Sequence, residues 1–110
     1  MIRETLLPGS IHASMYVTSG AGLRFQARPT TGDPTTPTAY GGAGTVPYWV
    51  RVERVGSTFT GYKSTDGSTW TSVGSTNITM GANVFIGLPV CSHNDGVLNT
   101  VTFDSVTATP

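Results

Sequence analysis

Charge is the first thing this sequence lacks. Only 11% of its 110 residues are Asp, Glu, Lys or Arg, and the formal net charge is zero. Binding to nucleic acid requires clustered Lys and Arg that displace counterions, and six basic residues spread along the chain do not supply them. There is one cysteine, Cys91, which excludes an internal disulfide framework and Cys-based zinc sites. A lone Cys in a strand pattern reads as a small buried hydrophobe. No stretch approaches the ~18 consecutive apolar residues of a membrane span. The N-terminus, Met1-Ile2-Arg3-Glu4-Thr5, lacks the apolar core of a signal peptide, so an export signal would lie upstream.

Helix formers are scarce as well, while Thr, Ser and Val are common and 14 Gly and 7 Pro punctuate the chain. Propensity therefore favours strands and turns over helices. The hydrophobic fraction, 37%, is low but regularly placed. Apolar residues alternate with polar ones at Ala13, Met15 and Val17, and again at Leu23, Phe25 and Ala27. The same alternation appears at Val50 and Val52, at Phe59 and Gly61, at Val84, Ile86, Leu88 and Val90, and at Val101 and Phe103. A period of two marks a strand with one face in a core. Turn signals separate the runs: Pro8-Gly9, Ser19-Gly20, Val55-Gly56-Ser57, Asp66-Gly67, Met80-Gly81 and Asn94-Asp95-Gly96. Short strands at this spacing predict a single all-β, antiparallel two-sheet sandwich over residues 1–110.

Two segments depart from the alternation. Residues 29–46 are rich in Pro, Thr and Gly and read as a long loop with a short strand near Thr36 to Tyr40; loops of this length often carry binding. In Ser64-Thr65-Asp66-Gly67-Ser68-Thr69-Trp70 the Asp66 carboxylate is placed to accept turn amides while Gly67 takes positive φ, and Trp70 is expected to pack over the hairpin. This stretch resembles the Asp-box hairpin of β-propellers, one residue shorter, and an architectural role for Asp66 follows.

Catalytic constellations are hard to find. Glycoside hydrolysis needs two carboxylates flanking one bond, and no two of Glu4, Glu53, Asp33, Asp66, Asp95 and Asp104 lie two residues apart. There is no Gly-x-Ser-x-Gly nucleophile elbow, and His12 and His93 have no ligand-like companions for a metal. No cofactor is expected; calcium at Asp95 and Asn94 carries only a weak signal. The chain reads as a non-enzyme.

Binding is the better prospect. With Val50, Val52, Phe59 and Gly61 facing the core, Trp49, Arg51, Glu53, Thr60 and Tyr62 share the opposite face, and Arg24, Gln26 and Arg28 are expected to join them from a neighbouring strand. Aromatic rings stack on the apolar faces of sugars, while Arg, Gln and Glu hydrogen-bond hydroxyls. The alternative is that Trp49 packs under the long loop or in a contact that completes the sheet.

Several stretches taken together carry a family resemblance: Met1-Ile2-Arg3-Glu4, Leu23-Arg24-Phe25-Gln26-Ala27-Arg28, Pro47-Tyr48-Trp49-Val50-Arg51-Val52-Glu53-Arg54, Phe59-Thr60-Gly61-Tyr62 with the Asp-Gly-Trp hairpin, Ile86-Gly87-Leu88, Ser92-His93-Asn94 and Thr102-Phe103-Asp104-Ser105-Val106. In this order they resemble a bacterial family of concanavalin A-like lectin/glucanase modules of secreted multidomain proteins. The resemblance implies a two-sheet jelly roll, an extracellular setting, and either a glycan ligand or a purely structural spacer role, since one fold hosts many functions. The carboxylate pattern of the glucanase relatives, Glu-x-Asp-x-(x)-Glu, is absent. Such modules run longer, with strands before the Met-Ile-Arg-Glu segment. The chain is accordingly expected to be the C-terminal part of a longer jelly roll, and to form a homo-oligomer through exposed sheet edges.

Overall fold

A computed structural model describes residues 1–18, 20–44, 48–90, 96, 98 and 100–109. Among these residues there are eight strands and no helix: β1 (Ile2–Arg3), β2 (His12–Val17), β3 (Leu23–Arg28), β4 (Thr36–Tyr40), β5 (Trp49–Val55), β6 (Thr58–Ser64), β7 (Thr71–Asn77) and β8 (Phe85–Ile86). No helix is long and apolar enough to cross a membrane. The strands form two antiparallel sheets, one five-stranded in the order β4-β3-β2-β1-β8 and one three-stranded in the order β5-β6-β7.

Burial follows the alternation where it is cleanest. Along β3, Leu23, Phe25 and Ala27 are buried while Arg24, Gln26 and Arg28 are not. Ala13 and Met15 of β2, Phe25 of β3 and Phe59 of β6 join Ile78 and Met80 in one apolar layer between the sheets. Removing these groups from water supplies the main drive for folding. The sheets approach closely at two glycines. A Cβ on Gly61 would stand 2.9 Å from Phe25 Cδ1 and 3.1 Å from Met15 Sδ, and one on Gly74 would stand 2.6 Å from Ala39 Cβ. Real Cβ atoms do not come that near one another, so hydrogen is the only substituent the gap admits.

The structure departs from the sequence pattern in three places. The Thr/Ser-rich stretch forming β7 shows almost no apolar period, yet it pairs with β6 from Thr58↔Asn77 to Lys63↔Thr71. A register shift between Gly61 and Tyr62 puts Val73 and Gly74 side by side as half-buried neighbours, which hides the alternation. At the other end, the predicted run from Val84 to Val90 is a strand only at Phe85–Ile86, and Val101 and Phe103 lie in no strand. Val101, Phe103 and Val106 are exposed; an alternating segment becomes a strand only when its backbone groups are taken up by another strand, and among the described residues these are not. Third, Val50, expected in the core, stays 37% exposed, whereas Val52 packs against it.

The loop after β3 is pinned down. Gly32 donates to Gly9 O, and the Arg28 guanidinium donates to Asp33 O, Pro8 O and Ser10 O. These bonds lay residues 30–35 over one end of the five-stranded sheet, and the outward-pointing His12 and Ser14 are buried there despite their polar period. The strand expected near Thr36 to Tyr40 is β4.

Candidate functional site

The outer face of the three-stranded sheet is built by register. Arg51 stands opposite Tyr62, Glu53 opposite Thr60, and Trp49 opposite Ser64. All of these alternate with Val52, Phe59 and Gly61, which point to the core, so Trp49, Arg51, Glu53, Thr60 and Tyr62 share one solvent-facing surface as expected. Arg51 is the hub. Its Cζ lies 4.4 Å from the Tyr62 ring centroid and 4.8 Å from that of Trp70, within cation–π range of both. Trp49 and Trp70 meet edge to face, with centroids 6.4 Å apart and planes at 87°. Arg51 and Glu53 form an ion pair at 4.0 Å with both side chains more than 40% exposed, a pairing that contributes little to stability but fixes donor beside acceptor.

The hairpin between β6 and β7 supports this surface. Asp66 Oδ1 accepts hydrogen bonds from Ser68 N at 2.8 Å, Thr69 N at 2.9 Å and Ser64 Oγ at 2.9 Å. Those bonds favour the charged carboxylate and lower its pKa to about 2, the Thr69 amide acting most strongly. Gly67, at φ 77°, turns the chain so tightly that a Cβ there would stand 2.7 Å from Trp49 Cε2. It is therefore Trp49 that lies against the turn backbone, while Trp70, expected to cover the hairpin, stands under Arg51 and completes the aromatic cluster. Trp70 is the site residue that strand alternation misses. Its position just past the Asp-Gly turn, with Ser64 paired to Trp49, is the signal that could have found it.

Arg24, Gln26 and Arg28 do not join this surface, contrary to expectation. They belong to β3 in the five-stranded sheet, and their alternation with Leu23, Phe25 and Ala27 sends them outward on the opposite side of the sandwich. Arg24 lies 4.3 Å over the Tyr40 ring and donates to Ala21 O, beside a shallow cleft of about 400 Å³ whose lining includes Gly22 and Gly44. Arg28 is taken up by the three carbonyls named above. Gln26 sits between Ser14 and Pro37.

Arg51 differs from the other cations. Arg3, Arg24, Arg28, Arg54 and Lys63 each donate to at least one backbone carbonyl. Arg51 makes no such bond among the described residues; it is oriented by ring stacking, with its N–H groups turned to solvent and to Glu53.

Elsewhere, His12 Nε2 lies 3.1 Å from Thr35 Oγ1 and Nδ1 lies 3.2 Å from Ser14 Oγ. Burial, with Arg28, Arg3 and the amino terminus nearby, lowers its pKa to about 4, so the ring is neutral at pH 7. Among the described residues no group of three or more His, Cys, Asp and Glu is arranged to hold a metal. Cys91, His93 and the Asn94–Asp95 pair considered for calcium lie outside the described residues. No protein-family model, curated protein or solved structure matches the chain.

Proposed function

We propose that the chain is a noncatalytic glycan-binding module whose ligand rests on Trp49, Arg51, Glu53, Tyr62 and Trp70. The observation that carries this reading is Arg51: a guanidinium stacked on two aromatic rings, next to a carboxylate, and bonded to no backbone carbonyl among the described residues. Such a group is oriented before any ligand arrives, which reduces the ordering cost of binding. Its N–H groups and the Glu53 carboxylate suit the hydroxyls of a sugar, and the 36% exposed Trp49 offers apolar surface to the C–H face of the same ring. Within this proposal the two sheets are part of a jelly roll of the concanavalin A-like kind, and the module works outside the cell as part of a larger bacterial protein.

A second reading has an observation of its own. Arg51 covers a face of Tyr62 and of Trp70, and Gly67 covers part of Trp49, so the cluster also serves as packing for a structural spacer. A glycan array with polysaccharide pull-down separates the two readings, comparing wild type with Trp49→Ala and Arg51→Ala and using circular dichroism to monitor the fold. The glycan reading expects wild-type binding and losses of about tenfold or more in each variant, equivalent to the removal of about 1–2 kcal/mol. Absence of wild-type binding across polysaccharide classes, or binding unchanged in both variants, overturns it in favour of the spacer.

A further inference from the structure

Among the described residues the three-stranded sheet ends in an open edge. Among the described residues β5 pairs with β6 alone, and none of its backbone groups bonds to any other segment. The edge is seven residues long, Trp49-Val50-Arg51-Val52-Glu53-Arg54-Val55, and its apolar side chains are poorly covered: Val55 is 67% exposed, Val50 37% and Trp49 36%. A strand of this length with its ladder groups unpaired is a template for another strand.

The sequence of the edge fits its own copy. When two β5 strands run antiparallel about a two-fold axis at Val52, Arg51 of each chain stands opposite Glu53 of the other, and both pairs lie on the outer face. Trp49 stands opposite the second copy's Val55, again on the outer face and at both ends of the contact, matching an aromatic ring with a β-branched side chain. On the inner face Val52 meets Val52, and Val50 meets the aliphatic stem of Arg54. Directly opposed side chains of opposite charge, and aromatic with β-branched pairs, are the favourable cross-strand combinations. A shift of the axis by one residue in either direction pairs Arg51 with Arg51 or Glu53 with Glu53.

We infer that β5 is a self-recognition edge, and that two copies of this chain join through it into a continuous six-stranded sheet in the Val52-centred register. The contact is isologous, so it closes at two copies and does not propagate into a fibre. It takes Val50 and Val52 further out of solvent. The contact uses Trp49, Arg51 and Glu53, which also belong to the proposed glycan face, but it does not rest on that reading, because association is measured with no sugar present.

The test is charge reversal read by sedimentation velocity across the micromolar to millimolar range. Wild type is expected to pass from monomer to dimer with rising concentration. R51E sets a new carboxylate opposite Glu53 at both ends of the two-fold, and E53R sets a new guanidinium opposite Arg51 at both. Each is expected to raise the dissociation constant on the order of tenfold or more. The double reversal R51E/E53R restores both pairs and the dimer. An equimolar mixture of R51E and E53R is the stringent case, since each chain then opposes the other with opposite charge at both positions and a heterodimer forms where neither variant dimerises alone. Circular dichroism verifies that each variant keeps its β content; the mixture requires folding only of chains already shown to be folded as monomers. A wild type that stays monomeric throughout, single reversals that dimerise as wild type does, or a mixture no more associated than its components overturns the inference. A failure here leaves the Trp49→Ala glycan result standing, and the converse holds as well.

Discussion

Lowering the pH tests the buried histidine directly. His12 is 4% exposed, and its pKa falls from 6.5 to about 4 because burial and the neighbouring Arg28 and Arg3 disfavour the imidazolium. In the unfolded chain the ring takes up a proton near pH 6.5; in the folded chain it resists until about pH 4. The unfolded state therefore binds more protons throughout that window, and stability declines as the pH falls through it. Between pH 7 and pH 5 the two pKa values give a loss of about 2 kcal/mol, reaching a ceiling of about 3 kcal/mol below pH 4. The assay is urea denaturation followed by tryptophan fluorescence at half-unit pH intervals, on wild type and on His12→Gln. The variant, whose amide can still reach Thr35 or Ser14, is expected to be about 1 kcal/mol less stable at pH 7. It should also be flatter than wild type by about 2 kcal/mol between pH 7 and pH 5. Parallel pH profiles for the two proteins would refute the assignment, because every other titrating group is shared between them.

Other consequences of the structure can be checked as simply. Asp66, lowered to about 2 from 3.8 by the Thr69 and Ser68 amides, contributes stability above pH 4 that disappears as the pH falls from about 4 to about 2; Asp66→Asn removes that step, seen in acid titration by circular dichroism. Gly74→Ala brings two Cβ atoms to 2.6 Å and is expected to destabilise by about 1–3 kcal/mol, with Ala39→Gly in the same chain recovering part of the loss in thermal melts. Phe25→Ala opens the centre of the apolar layer and should cost about 3–5 kcal/mol in the same assay.

What can be read from the residues depends on how local the cause is. The Leu23-Phe25-Ala27 alternation specifies β3 because each inward side chain is large or medium and apolar, and the turn at Val55-Gly56-Ser57 specifies the β5–β6 hairpin because Gly56 supplies its φ of 61°. The strand β7 is invisible in the sequence, since its inward positions are small residues filling a narrow gap and a register shift breaks their period. The burial of His12 is invisible for another reason: a loop returning from residues 30–35 covers it, and nothing near His12 announces that. Val101 and Phe103 show the converse, a strand-like pattern that pairs with no strand among the described residues. At the candidate site, alternation places Trp49, Arg51, Glu53 and Tyr62 on one face correctly. The error with Arg24, Gln26 and Arg28 comes from sheet order, which a period of two cannot convey: it tells which way a side chain points and not which layer its strand belongs to.

The arginines that clasp backbone carbonyls have a further consequence for how this protein responds to its medium. Arg3, Arg28 and Arg54 fasten loops to sheets by donating to neutral oxygens, and among the described residues a single, solvent-exposed ion pair is formed. Screening by dissolved electrolyte weakens the attraction between opposite charges over distance far more than it weakens a short, directed bond to a dipole. With equal numbers of positive and negative side chains there is also little mutual repulsion to relieve. The melting temperature of the monomer should hardly move between dilute buffer and brine, a tolerance that comes from spending cations on carbonyls.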